Sequence, residues 1–265
     1  MNVYRFPPPT NIQRLVKFLY VITTGESPEW STNHPTFTQD LMYVERGICR
    51  FESKGEIVDL EESCIVPLQR SSFSFYFGPY TKLFGIAFYP PGLNQLLGFD
   101  LLRESRSATC IEKSNLIRRI RCEIESKSFD AVERISSIIE DEASGVQPKF
   151  SNTARQFISS VNINLSQYSD VSITQVAKTL GVSTRTLERH CLQALGLTPK
   201  EVVRINRLNR TLKTLSNGTQ SILSAALFHG YFDESHFQKE CQKLLGTSCT
   251  NYISEHSDLR NLFHS

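Results

Sequence analysis

Arg185, Glu188 and Arg189 are three and four residues apart, so on an α-helix they share one face, with Thr184 at its start. About fifty residues later, Glu234, Ser235, His236, Gln238 and Lys239 crowd into a stretch of six. These side chains can read the edges of base pairs. Arg pairs bidentately with guanine, Gln pairs with adenine, and Glu accepts from the amino group of cytosine. A row of such groups on one helix is equally what an ordinary solvated face looks like. The row occurs twice here, and each copy follows the same local punctuation, which favours the base-reading interpretation.

The two copies belong to an internal repeat. Ala177, Gly181 and Val182 recur 49 residues later as Ala226, Gly230 and Tyr231. After a one-residue insertion, Leu187, Arg189, Cys191, Gly196 and Thr198 recur 50 residues later as Phe237, Lys239, Cys241, Gly246 and Ser248. Each copy has the mechanics of a helix-turn-helix. In the first, Ser172 precedes a helix predicted over 173–180, and Gly181 supplies the positive φ that ends it. Ser183 then caps a helix over 184–195. In the second, a helix over 220–228 is followed by the turn 229–232, and Asp233 caps a helix over 234–245. In this architecture the second helix of each pair enters the major groove.

Ser183-x-Arg185-x-Leu187-x-Arg189, then Gly196-x-Thr198-Pro199, and later Gly230-Tyr-Phe-Asp-Glu-Ser-His-Phe237 with Gly246-x-Ser248-x-x-x-Tyr252, form a pattern. It resembles the AraC/XylS family of bacterial transcription regulators over about residues 155–255. The resemblance implies two helix-turn-helix units (172–196 and 220–246) joined by a long helix over 199–215. It also implies that the two recognition helices occupy successive major grooves of duplex DNA. By motif position, Arg185, Glu188 and Arg189 read bases in the first unit, and Glu234, Ser235, Gln238 and Lys239 in the second. Thr184, Thr186, Arg204, His236 and the amides at the helix starts are expected to meet phosphates. Three positions depart from the family pattern. Cys191 and Cys241 stand where Phe is usual, and Cys249 stands where Pro is usual. The first two predict a smaller core contact in each unit, and the third a less fixed closing turn.

The N-terminal half reads differently. Short segments rich in β-branched and aromatic residues (41–45, 48–51, 56–60, 64–66, 73–77 and 84–89) alternate with turns, as in an antiparallel sandwich or barrel. Ahead of them, Ile12, Leu15, Val16 and Leu19 have helical spacing and predict a helix over 11–20. After Pro91 the period lengthens, predicting a short helix over 93–97 and longer ones over 114–126 and 129–142. The two longer helices pack on the sheet or form a dimer seam, and the sequence leaves both readings open. A linker is expected over 143–148. The β-rich half resembles the cupin-like sensor or dimerisation domains of such regulators. Phe73, Phe75, Phe77, Phe84 and Phe88 could line a ligand pocket or simply form the sandwich core. A cupin-type metal centre needs two or three His with a carboxylate. Residues 1–150 hold a single histidine, His34, so such a centre is not expected, and no nucleophile elbow, phosphate loop or dinucleotide fingerprint appears there.

Charge distribution agrees with this division. Residues 1–150 carry 17 Lys and Arg against 19 Asp and Glu, and residues 151–265 carry 12 against 8. A basic half beside a nearly neutral one suits a nucleic-acid module attached to something else. Seven cysteines without paired spacing predict free thiols in a reducing compartment. No apolar run is long enough for a membrane span, and a cytoplasmic location is expected. The fold class expected is α+β: a cupin-like antiparallel β domain with flanking helices over 1–145, then an all-α double helix-turn-helix domain over 146–265. The function expected is a DNA-binding transcription regulator, an activator that recruits RNA polymerase, with no enzymatic activity and no cofactor. A small-molecule effector or partner protein at the β domain, and a homodimer, remain open. The competing readings are an interaction protein whose degenerate C-terminal module binds DNA weakly, and a thiol sensor.

Overall fold

The computed structural model describes residues 1–90, 92–97, 108–110, 114–145, 152–167, 171–216 and 220–255. They fall into two compact units. The first comprises Met1–Ser31, Phe37–Leu68 and Ser74–Phe150, and the second Thr32–Thr36, Gln69–Phe73 and Ser151–Ser265.

The strands are β1 (Asn2–Phe6), β2 (Val16–Thr23), β3 (Glu29–Asn33), β4 (Gln39–Arg46), β5 (Cys49–Ser53), β6 (Glu56–Asp59), β7 (Ser63–Val66), β8 (Phe73–Phe77), β9 (Lys82–Phe88) and β10 (Thr109–Cys110). They form a six-stranded sheet in the order β1-β2-β9-β4-β7-β10 and a four-stranded sheet in the order β3-β8-β5-β6. In β8, buried Phe73, Phe75 and Phe77 alternate with half-exposed neighbours, the two-residue period of a strand with one covered face. Gly85 on β9 allows a close approach: a Cβ there would meet the Tyr20 ring at 2.0 Å. The ring crosses that gap and donates its hydroxyl to Asp40 Oδ1 at 3.1 Å. Burial pushes the Asp40 carboxyl up to about 6, against the hydrogen bonds from Tyr20 and Thr38 that lower it.

Three helices follow, α1 (Gly92–Leu97), α2 (Asn115–Glu125) and α3 (Ala131–Gly145). Leu116, Ile117 and Ile120 of α2, with Ile135, Ile138 and Ile139 of α3, are buried in one core with Leu19, Leu41, Ile65, Ile86 and Phe88 of the large sheet. The apolar faces of α2 and α3 therefore cover the sheet, which settles the alternative of a dimer seam formed by those faces.

The helix expected over 11–20 is not there. A 3-10 turn, Thr10–Ile12, leads into β2, which pairs with β1 on one side and β9 on the other. Ile12, Leu15, Val16 and Leu19 do share one core cluster, so their spacing correctly reported a common burial. The run Phe18-Leu-Tyr-Val-Ile-Thr23, aromatic and β-branched, decides the conformation once two strands are available to pair with it. Strands thus begin at Asn2, well ahead of the segments expected over 41–89. The linker expected over 143–148 begins inside α3, and its remainder lies outside the described residues.

The second unit contains α4 (Asn152–Gln167), α5 (Ile173–Thr179), α6 (Thr184–Leu195), α7 (Pro199–Ser216), α8 (Ile222–Phe228), α9 (Glu234–Leu245) and α10 (Cys249–Glu255). Among the described residues no helix is long and apolar enough to cross a membrane.

Candidate nucleic-acid interface

Two helix pairs, α5 with α6 and α8 with α9, present the functional side chains, and local chemistry defines both. Ser172 Oγ accepts from Gln175 N at 3.3 Å and Ser183 Oγ from Thr186 N at 3.1 Å, which starts α5 and α6. Ser221 Oγ accepts from Ser224 N at 3.2 Å and Asp233 Oδ1 from His236 N at 2.6 Å, which starts α8 and α9. Each cap satisfies an amide that has no partner within its helix. Gly181 (φ 68°) and Gly230 (φ 82°) make the left-handed turn between the paired helices. Gly196 and Gly246, also left-handed, close α6 and α9. The second helices have the bounds expected from sequence. The start of α8 differs: Ser221 is its cap, and its first residue, Ile222, lies two residues inside the expected boundary.

Packing then fixes which faces point out. Leu187, Cys191, Ala194 and Leu195 of α6 are buried, with Ala154, Phe157 and Val161 of α4 and Val176 and Ala177 of α5 also at the core of this region. Phe237, Cys241, Leu244 and Leu245 of α9 are buried with Tyr231, Ala225, Ala226, Leu208, Leu212, Cys249 and Tyr252. Cys249 is wholly buried at the start of α10, where Tyr252 N bonds back to Ser248 O at 3.0 Å. The closing turn expected to be loose without Pro is therefore packed and hydrogen-bonded.

With the cores assigned, Thr184, Arg185, Glu188 and Arg189 lie exposed on α6, and Glu234, Ser235, His236 and Lys239 lie exposed on α9. Other expected contacts are engaged elsewhere. Arg204 grips Glu240 through two bonds, Nε to Oε2 and Nη2 to Oε1, each 2.8 Å, and so ties α7 to α9. This bidentate pair spends the guanidinium assigned above to a phosphate. Gln238 is half-buried, and its Oε1 accepts from Cys249 N at 3.2 Å. Thr186 shares its hydroxyl with Ser183 at 2.9 Å as part of the cap. His236 stays at the surface, with Nδ1 accepting from Phe232 N at 3.3 Å.

Three features went unread in the sequence. Thr198 and Glu201 form a reciprocal capping box at the start of α7: Thr198 N donates to Glu201 Oε2 at 2.8 Å, and Glu201 N to Thr198 Oγ1 at 3.2 Å. The Thr-x-x-Glu spacing was available as a signal. The Arg204–Glu240 pair had none, being 36 residues apart. Nor did the two short segments of the second unit. Ser72 N donates to Leu244 O at 2.7 Å, Arg70 bonds Gly196 O, and His34 Nδ1 lies 2.7 Å from the buried Tyr252 hydroxyl.

Burial, helped by Arg210, pushes the His229 imidazole down to about 4, and its Nε2 lies 2.7 Å from Thr214 Oγ1. Burial also pushes the Cys49 and Cys191 thiols up to about 12. Of the described free cysteines only Cys122 is exposed, and a buried protonated thiol is a poor nucleophile.

The five aromatic residues expected to line a pocket do not converge. Phe75 and Phe77 stack at 5.8 Å on β8, with Phe51 at 5.5 Å from Phe75, and Phe73 is on the same strand. Phe88 is core beneath the helices. Phe84 borders a cavity of about 10 Å³ between β4, β9 and α2, with Leu41, Ile86, Ile117 and Ile120. That is room for one water at most. Among the described residues no group of His, Cys, Asp and Glu could hold a metal ion.

Comparison with known proteins gives the same division. Residues 176–255 match the family model of a helix-turn-helix domain. Invasion protein InvF of Salmonella typhimurium is 37% identical over 68 residues, which are 26% of this chain and 32% of that protein. The match thus spans about a third of the curated relative's length. ToxT of Vibrio cholerae, in a structure at 1.65 Å resolution, shares 13% identity with a TM-score of 0.50 over 96% of this chain and 97% of its own. The C-terminal domain of AraT, a response regulator from Geobacillus stearothermophilus, is 25% identical with a TM-score of 0.37, covering 40% of this chain and 88% of that domain. The fold is that of ToxT, a β domain followed by helix-turn-helix units.

Proposed function

We propose that this chain is a sequence-specific transcription regulator of the AraC/XylS type that lays α6 and α9 into successive major grooves of duplex DNA, a reading supported by the helix-turn-helix match over residues 176–255. The observation that carries the reading is the paired presentation: two helices of equal length, each started by a side-chain cap, each offering charged and polar side chains outward. Arg185, Glu188 and Arg189 read bases from α6, and Glu234, Ser235 and Lys239 from α9. Thr184, His236 and the first amides of both helices meet phosphates. Arg204 is not among them, since it holds α7 against α9.

The two recognition helices are joined through α7, whose 18 residues span about 27 Å. Successive grooves on one face of DNA are roughly 34 Å apart, so some bending of the duplex belongs to the proposal. Activation by recruiting RNA polymerase is the mode of action we assign. The chain does no chemistry on its ligand in this reading. An effector acting at the cavity bordered by Phe84 has to part β9 from α2, because the space there is about 10 Å³ and holds no more than a water.

The test is retention of duplexes from a promoter pool at two salt concentrations. Sequence-selective retention that falls steeply with salt is expected. No duplex retained even at low salt overturns the reading. A thiol sensor is disfavoured by the burial of the described cysteines other than Cys122, and an unchanged DNA affinity after oxidant treatment is expected.

A further inference from the structure

The two helix-turn-helix units differ in length by one residue, and the structure locates it. Val182 N donates to Ala177 O at 3.0 Å, and Tyr231 N donates to Ala226 O, also at 3.0 Å. These two turns are equivalent bond for bond. The caps that follow, Ser183 and Asp233, are equivalent too. Between turn and cap the first unit has nothing, and the second has Phe232.

Phe232 does not serve the core. Its side chain is 85% exposed, while Tyr231 beside it is buried in the cluster around Phe237. Its backbone is nonetheless held on both sides. Phe232 N donates to His236 Nδ1 at 3.3 Å, and the His236 ring stands edge-on to Tyr231 at 5.4 Å. On the other side Asp233 is fixed as the cap of α9 by its bond to His236 N. An aromatic side chain is thus carried outward on a fixed backbone, at the end of α9 that also exposes Glu234 and Ser235.

We propose that Phe232 is an apolar base-reading residue of the second unit, meeting the C5-methyl group of a thymine in the major groove. The thymine methyl is the apolar feature of the major-groove edge, and Phe is among the side chains that contact it. The placement is continuous with the reading face of α9. The remaining exposed apolar side chains of this unit, Leu223, Leu227 and Phe228, belong to α8, the helix that precedes the turn.

The inference rests on the reading of the chain as a DNA-binding regulator, and the experiment separates the two. The full chain selects its own site from a random duplex pool. Each thymine of the half-site assigned to α9 is then replaced by deoxyuridine, which removes only the methyl group. At one thymine the replacement weakens binding of the wild-type chain about fivefold. Phe232→Ala weakens binding to the thymine duplex by a similar factor, is indifferent to deoxyuridine there, and leaves the loss caused by Arg185→Ala unchanged. Phe232→Leu restores part of the sensitivity. A selected site with wild-type binding insensitive to every such replacement, a half-site without thymine, or a Phe232→Ala chain that keeps the wild-type sensitivity overturns the proposal alone. Failure to select any site overturns the DNA-binding reading and this inference with it.

Discussion

The two helix-turn-helix units share a plan and differ in how they are filled. In the first, the recognition helix puts Leu187 at its centre and two arginines on its face, and the turn ends in a Ser cap. In the second, Phe237 takes the central place, the face carries Glu234, Ser235 and Lys239, and a Phe is added ahead of an Asp cap. The second unit invests in packing. Tyr231 and Phe237 lie 4.9 Å apart, and Arg204 is locked onto Glu240 from the neighbouring helix. The first leaves Arg185 and Arg189 exposed on the face of its second helix. On the function proposed above, the first half of this duplicated module is suited to discrimination and the second to holding position.

The largest way to break that contrast is through the cores. Phe237→Ala should cost about 4 kcal/mol and Leu187→Ala about 3 kcal/mol, in line with aromatic and aliphatic truncations at wholly buried sites. Amide hydrogen exchange in the full chain checks this, with protection falling first in α8 and α9 for Phe237→Ala and in α5 and α6 for Leu187→Ala. Equal losses spread over both pairs would mean that they unfold as one body. The next effect is on reading. Arg189→Ala should lose roughly 1–3 kcal/mol of preference at one base pair. Lys239→Ala should lose less preference at its own base pair, because one ammonium cannot make the bidentate pair that a guanidinium makes. Competition binding against single-base variants measures both losses, and an equal or larger base-selective loss for Lys239→Ala would return the second unit to an equal share of the reading.

The pH response should also divide the units. His229 ends α8 where Leu180 ends α5. Its folded pKa of about 4 lies below the ordinary histidine value of about 6.5, so the unfolded chain binds the proton more readily. Its stabilising contribution is therefore present above about pH 6.5 and is lost as pH falls toward 4. The loss amounts to about 2 kcal/mol for the second unit. His229→Leu should flatten that dependence in urea titrations between pH 7.5 and 4.5, and an unchanged slope would remove His229 as its source. Smallest is the change at the caps. Ser183→Ala and Asp233→Ala should each cost about 1 kcal/mol. Only the Asp loss should diminish with added salt, because it carries charge at a helix start.

Much of this site was legible in the residues because its determinants are local. Gly181, Ser183 and Asp233 each act within four residues of themselves, and the helices they delimit have the bounds their spacing predicts. The errors lie where the partner is distant. Residues 11–20 have helical spacing, yet their strand pairs reach as far as Phe88, and long-range pairing overrode local periodicity. Arg204 read as a surface cation because Glu240, 36 residues away, could not be seen from its own sequence. The aromatic residues of β8 and β9 read as one cluster because they are close in sequence, while the strands set Phe75 against Phe51 and Phe88 against the covering helices.

The connection between the units, α7, is a continuous helix with a capping box at its start and buried Val202, Ile205, Leu208 and Leu212 along its length. Inserting one residue into a loop changes little, but inserting one into a helix turns everything beyond it by about 100° and shifts it by about 1.5 Å. Insertions and deletions here should therefore be lethal to function rather than merely costly. If both units read DNA, evolution cannot retune the spacing of their half-sites from the protein side. The promoters must instead keep a common phasing and drift in sequence alone, so that the regulator acts as the fixed ruler against which its target sites are selected.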